Sequence, residues 1–363
     1  MITRLSGGHG SRRRRAALVA TAVAAAVVAV SALSGFHVGL QAIDPEGPDA
    51  ASEVVGSEPV GIRTFVAPAG IRVEEDLEYG TRDDGTLLTL DVCSPASTGS
   101  DAMAGSDTMA GSDTMAGSDT MAGSDATADS AVALPAVVSV HGGSWARGDK
   151  ANADWRNVCL WLASEGFVAA SVNYRLVPQA VFPAQFDDVS LAVEWLRDAE
   201  QADRFGIDPA RIGVFGGSAG GNLAALVGAA GDGPLDEGAR VAAVAELSGP
   251  VALDDLAGAT DWLRGIVGAY VGCDPGDLAA ATCSTATDAS PLAHLDPSDP
   301  PVFIGHAVDE IIPLAQSTTF ADALEAAGVE SELAVVGGAE HSIGILDAGL
   351  RVRVAAFLHR HLG

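Results

Sequence analysis

Arg211-Ile212-Gly213-Val214-Phe215-Gly216-Gly217-Ser218-Ala219-Gly220-Gly221 is the stretch from which the rest of the chain is read. A β-branched and aromatic run enters a glycine cluster with Ser218 at its centre. It leaves through Asn222-Leu-Ala-Ala-Leu-Val, a good helix former. Gly216-x-Ser218-x-Gly220 is the spacing of a nucleophile elbow, a strand-to-helix turn so sharp that the serine hydroxyl projects outward. Small flanking residues keep side chains out of the neighbouring strand and helix. The helix that follows aims its free N–H groups and positive dipole end at the serine. The simpler alternative is a glycine-rich turn whose serine caps a helix.

Outward from the elbow the pattern is α/β. Strands are expected over residues 136–140, 167–173, 211–215, 241–247, 302–304 and 332–336. Helices are expected over 155–164, 186–202, 262–271, 318–327 and 348–361. This alternation implies a mostly parallel central sheet with helices on both faces. Two earlier strands, 73–79 and 86–92, flank Asp83-Asp84-Gly85 and read as a hairpin extending the sheet.

Between the hairpin and the first parallel strand lies a low-complexity insert, 94–133, with four copies of Asp-(Ala/Thr)-Met-Ala-Gly-Ser. Its composition cannot build a core, so it reads as a flexible loop. Loop-closure entropy grows only logarithmically with length, which makes such an insert tolerable. Residues 43–70, rich in Pro, Gly, Glu and Ser, read as a flexible spacer. That leaves 71–363 as one domain.

Residues 1–42 carry a positive Arg12–Arg15 cluster and then an apolar, alanine-rich run, the layout of a secretory signal peptide. An uncleaved anchor is the alternative, and only then is a membrane a partner. Both place the domain outside the cytoplasm. The formal net charge is −28, and removing this segment takes five of 20 basic residues and none of the 48 acidic ones. So acidic a surface argues against nucleic acid as a partner. Four cysteines fit an oxidising compartment. Cys273 and Cys283, close together in a loop-like segment, read as a local bridge, and Cys93–Cys159 follows by elimination. The other possibility is reduced, buried thiols. No spacing suggests a zinc or other metal site.

His141-Gly-Gly-Ser-Trp145, Ser171-Val-Asn-Tyr-Arg-Leu176, Phe182-Pro183 with Asp187-Asp188, Gly206-Ile-Asp-Pro-Ala-Arg-Ile212, Gly217-Ser-Ala-Gly-Gly221, Ala289-Ser-Pro-Leu292 and a C-terminal Asp then His follow one another in this order. With these motifs the chain resembles the α/β-hydrolase superfamily over about residues 73–360, in its hormone-sensitive-lipase-like and acetyl/feruloyl-esterase-like branches. The resemblance implies an α/β-hydrolase fold with a small lid, placed here at 254–285. It also implies a serine esterase acting on short-chain, acetyl or aryl esters, with a small-molecule ester as partner and no cofactor. It makes Ser218 the nucleophile, His341 the base and Asp309 the acid, in the family's chain order. Gly305-His306 stands where the family usually reads His-Gly, which leaves Glu310 as the substitute acid. Backbone N–H groups of Gly142, Gly143 and Ala219 would form the oxyanion hole, such donors typically contributing ~3–4 kcal/mol each. His141 reads as a residue fixing its loop, Asp187 and Asp188 as helix-start charges, and Trp145 as either pocket wall or packing. Glu246 reads as a potentially buried strand residue without a role. A prolyl-oligopeptidase-like peptidase and a non-catalytic binding protein on the same fold are the alternatives.

Overall fold

The computed structural model describes residues 60–95 and 132–363. The N-terminal segment 1–42 and nearly all of the repeat insert lie outside the described residues. Among the described residues no helix is long and apolar enough to cross a membrane.

Eight strands form one sheet: β1 (Arg72–Thr81), β2 (Leu87–Ser94), β3 (Leu134–Val140), β4 (Val168–Val172), β5 (Ile207–Gly217), β6 (Ala243–Leu247), β7 (Val302–Ala307) and β8 (Ser331–Val336). Their order is β1-β2-β4-β3-β5-β6-β7-β8. From β4 through β8 the pairings are parallel, and β2 pairs antiparallel with both β1 and β4. This is the α/β-hydrolase architecture expected from the sequence, with the hairpin as its extension. The inner strands are apolar at successive positions because both faces are covered. Val138, Val214, Val244 and Ile304 join one core with Val189, Leu223 and Phe320. Their sequence neighbours Val137, Phe215, Ala245 and Phe303 join a second core on the other face, with Trp161, Leu162 and Phe357.

The helices are α1 (Ala153–Ser164), α2 (Ala184–Arg197), α3 (Ala199–Phe205), α4 (Ala219–Ala229), α5 (Asp261–Val271), α6 (Ser284–Asp288), α7 (Leu314–Ala327) and α8 (Ala348–Leu362). Local chemistry sets their ends. Asn152 caps α1 by accepting from the Asp154 N–H, and Thr260 caps α5 by accepting from Leu263. Gly272 ends α5 in the left-handed conformation.

One expectation needs correction here. The single helix over 186–202 is two helices. Asp198 adopts φ −56°, ψ 136°, which closes α2, and its carboxylate accepts from the Glu200 N–H to start α3. A short Asp side chain offers the backbone this alternative to a continuous helix. Within the expected spacer, residues 61–64 are ordered: Gly61–Thr64 forms a 3-10 turn with Ile62 buried. Arg351 donates to the Gly61 carbonyl there.

Both disulfides form, Cys93–Cys159 and Cys273–Cys283. The first joins β2 to α1 around the repeat insert, with a sequence separation of 66 against 10 for the second. In the chain-entropy picture these loops correspond to about 4 and about 3 kcal/mol.

Parallel strands put their C-terminal ends on one edge of the sheet. Ser218 follows β5, His141–Gly143 follow β3, Asp309 and Glu310 follow β7, and His341 follows β8. Residues far apart in sequence therefore meet at one rim.

Candidate active site

Ser218 sits between β5 and α4 with φ 58° and ψ −123°. A non-glycine residue there costs on the order of 1–3 kcal/mol, a strain concentrated at functional turns. The turn is anchored on both sides. The Ser218 N–H donates to the Leu247 carbonyl (2.8 Å), and the Ser218 carbonyl accepts from Asn222 (3.0 Å). Glycine is required around it: a Cβ on Gly216 would lie 2.0 Å from the Gly220 oxygen, and one on Gly220 would lie 2.1 Å from the Val140 oxygen. Ser218 caps α4 through no side-chain hydrogen bond, so its hydroxyl is not consumed by the helix. Asn222 is buried and donates to the carbonyls of Pro250 and Ala289, tying α4 to the Ala289–Leu292 motif.

Ser218, Ala219, Gly142, Gly143 and His341 line one cavity of about 220 Å³. A Cβ on Gly142 would stand 3.2 Å from Ser218 Cβ, so the loop after β3 lies directly against the elbow. That loop is held from below. His141 stacks on Tyr174 (4.3 Å between ring centres), its Nδ1 lies 2.8 Å from the Gly142 oxygen, and its carbonyl accepts from the Tyr174 hydroxyl (2.9 Å). Burial lowers the His141 pKa and keeps the ring neutral, in keeping with a structural part.

Trp145, Trp155, Leu263, Ile266 and Ile312 supply apolar wall, and Trp145 is stacked on Tyr270 at 4.1 Å. Trp145 is therefore both wall and packing. The lid expected over 254–285 narrows to α5, whose Trp262, Leu263 and Ile266 border the cavity.

The acid is where the sequence reading is overturned. The carboxylate hydrogen-bonded to His341 Nδ1 belongs to Glu310, not Asp309. Asp309 is exposed. Its backbone N–H pairs with the Gly338 carbonyl (3.0 Å), continuing the β7–β8 pairing past the end of the strand. Glu310 comes one residue later, in the turn, and its side chain is sealed from solvent at 0% exposure.

His306, also fully buried, flanks Glu310 on its other side. His306 Nε2 lies 2.9 Å from Glu310 Oε1 and 2.9 Å from the Ile312 carbonyl, which takes the N–H. The contact with Glu310 is thus electrostatic rather than an aligned hydrogen bond. Ser317 Oγ meets His306 Nδ1 at 2.8 Å. Burial works to raise the Glu310 pKa, but His306 and His341 outweigh it and lower it to about 2. Burial likewise opposes charge on His306, and Glu310 overcomes it, so the His306 pKa is raised. With Nδ1 turned to Glu310, the free ring nitrogen of His341 is Nε2, the one a base needs. Among the described residues no hydrogen bond joins Ser218 to His341, and such contacts commonly tighten only around substrate.

Residues 126–324 match the BD-FAE family model. The chain belongs to the BD-FAE family. Over 89 residues it is 44% identical to arylacetamide deacetylase of Bos taurus, a stretch covering 24% of this chain and 22% of that protein. Over 229 residues it is 31% identical to esterase LipC of Mycobacterium tuberculosis, covering 59% of this chain and 54% of that one. The chain thus spans well under two thirds of these relatives' length. In fold it is similar to a truncated carbohydrate esterase from gut microbiota, with TM-score 0.62 and 21% identity over 82% of this chain and 99% of that one. It is also similar to an acetyl ester-xyloside bifunctional hydrolase from Caldicellulosiruptor lactoaceticus, with TM-score 0.50 and 29% identity over 64% of this chain and 82% of that one.

This BD-FAE member carries a further acid behind the elbow. Glu246 on β6 is fully buried. Its Oε2 accepts from the Gly249 N–H (2.7 Å), and its Oε1 has no partner. Burial, with the nearby Glu310 charge adding to it, raises its pKa from 4.5 to about 8. The unfolded chain releases this proton near its ordinary value and the folded chain only near 8. The stability contribution is therefore complete below about pH 4.5 and is lost as pH rises through about 8. His306, also raised, adds slope in the same direction above its ordinary 6.5. Glu310 acts oppositely, on the acid side, down to about 2. Glu246→Gln should flatten the decline in urea stability between pH 5 and 8.5 by an amount on the order of a few kcal/mol. Equal slopes in variant and wild type would count against a neutral Glu246.

Proposed function

We propose that the protein is a secreted serine esterase for short-chain carboxylic esters, acetyl and aryl esters among them. The observation that carries this reading is a strained serine sharing one cavity with a histidine whose Nδ1 is held by a buried glutamate. In the reaction, Ser218 Oγ attacks the ester carbonyl as His341 Nε2 takes its proton. Glu310 keeps the imidazole oriented and balances its charge. The N–H groups of Gly142, Gly143 and Ala219 receive the developing oxyanion. His341 returns the proton to the departing alcohol. Water, deprotonated by the same nitrogen, then releases the acid and restores Ser218.

The names of the relatives support an ester bond as the target, and the small apolar cavity supports a short acyl chain. Two disulfides and the N-terminal Arg-then-apolar pattern support export. A fluorophosphonate probe is expected to label wild type and not Ser218→Ala, and 4-nitrophenyl esters should be turned over more slowly as the acyl chain lengthens past butyryl. A folded wild type that takes no label and hydrolyses none of these esters would sink the reading.

A further inference from the structure

The cavity wall has an unusual charge pattern for so acidic a chain. Asp and Glu outnumber Lys and Arg 48 to 20, yet among the described residues no carboxylate lines the cavity, and Arg147 lines it. Arg147 is placed there by the backbone. The N–H groups of Ala146 and Arg147 both donate to the Gly143 carbonyl at 3.1 Å, folding the turn back on the loop that borders Ser218. Gly143 has φ +128°, and a Cβ there would meet the Arg147 oxygen at 2.0 Å and Arg147 Cγ at 3.2 Å. The Arg147 stem therefore runs along the loop.

Its head group is uncommitted. Arg63, Arg82, Arg156, Arg175, Arg204 and Arg353 all pair with carboxylates, whereas among the described residues Arg147 has no ion pair and no side-chain hydrogen bond. The nearest acid in sequence, Asp149, is occupied by the Ala151 N–H (2.6 Å) and the Asn173 amide (3.4 Å). In the lining of the same cavity Trp262 is 53% exposed and Ile311 48% exposed, leaving apolar surface for the body of a substrate. A planar guanidinium with free N–H groups beside that surface matches a carboxylate.

We propose that Arg147 selects esters bearing a carboxylate on the part that lies beside Gly142–Gly143. The inference rests on the esterase reading and deepens it. A guanidinium in this position offsets the repulsion that an acidic protein exerts on an anionic substrate.

The test compares kcat/KM of wild type, Arg147→Ala, Arg147→Lys and Arg147→Glu on matched esters. Mono-4-nitrophenyl adipate against 4-nitrophenyl hexanoate places the charge on the acid part. 4-Acetoxybenzoate against phenyl acetate places it on the alcohol part. In one of the two pairs, Arg147→Ala should lower kcat/KM for the charged ester about five- to tenfold, mainly through KM, and change the neutral ester less than about twofold. Arg147→Lys should retain part of the preference and Arg147→Glu should lower it further. Raising salt to 1 M should compress the wild-type preference. Variants that shift charged and neutral esters alike in both pairs, or shift neither, overturn the inference while leaving the esterase reading intact. A wild type that neither takes the fluorophosphonate label nor turns over the neutral esters overturns both.

Discussion

Glu310→Gln is expected to lower kcat/KM on a short 4-nitrophenyl ester by about 10³- to 10⁴-fold, while Asp309→Asn changes it less than about twofold. The amide is nearly isosteric but can present its NH₂ where a carboxylate oxygen accepted from His341 Nδ1. It then favours the ring tautomer that carries the proton on Nε2, the atom required to be the base. It also removes the one negative charge between two imidazoles, His341 and His306. Asp309 is exposed and contributes its backbone, not its carboxylate, to the site. Steady-state kinetics on both variants, with thermal melts to confirm folding, separate the two acids. Large loss in Asp309→Asn with activity kept in Glu310→Gln would reverse the assignment.

That pair of residues also marks how far the sequence could be read. The elbow was legible because its glycines sit at fixed short spacing around the serine: a Cβ on Gly216 would strike the Gly220 carbonyl within the turn itself, and one on Gly220 would strike β3. The parallel strands were legible because burial on both faces writes them as apolar runs. His341 was legible from its place after the last strand. Asp309 and Glu310 are adjacent carboxylates in the same turn, and what separates them is a backbone hydrogen bond from Asp309 to Gly338, in the loop after β8. No spacing rule in one sequence encodes that partner. His306 was likewise seen as an inversion of the usual His-Gly order, but its contact with Glu310 depends on how the chain turns back between β7 and α7. The break at Asp198 had a local signal, since aspartate is a strong helix cap, but the apolar periodicity on both sides of it masked the stop.

The second large effect is expected on stability, at a residue whose position the motifs marked only as a helix-start charge. Asp188 is fully buried, and its carboxylate is the hub for the strand β1 end and the loop after β4. Oδ1 accepts from Arg82 Nε (2.7 Å) and Arg175 Nη2 (2.8 Å). Oδ2 accepts from the Arg175 backbone N–H (2.9 Å) and its Nε (2.8 Å). Asp188→Ala leaves two guanidinium groups, 24% and 18% exposed, facing each other without their counter-ion. Removing one partner from such a network costs about 3–5 kcal/mol, because the remaining charges stay partly desolvated. Asp188→Asn keeps the shape and loses the charge, so it should fall between wild type and Ala in urea midpoint. The effect should reach the cavity as well. Arg175 follows Tyr174, whose hydroxyl and ring hold His141 and, through it, the Gly142–Gly143 loop against Ser218. Under conditions where the variant is still folded, kcat/KM should therefore drop by about tenfold or more, since a displacement of about 1 Å in donor groups is already costly. A variant within about 0.5 kcal/mol of wild type would show that the two arginines find water or other acceptors readily, and that the loop after β4 is held by Tyr79 and Lys150, which also bond Asn173, rather than by Asp188.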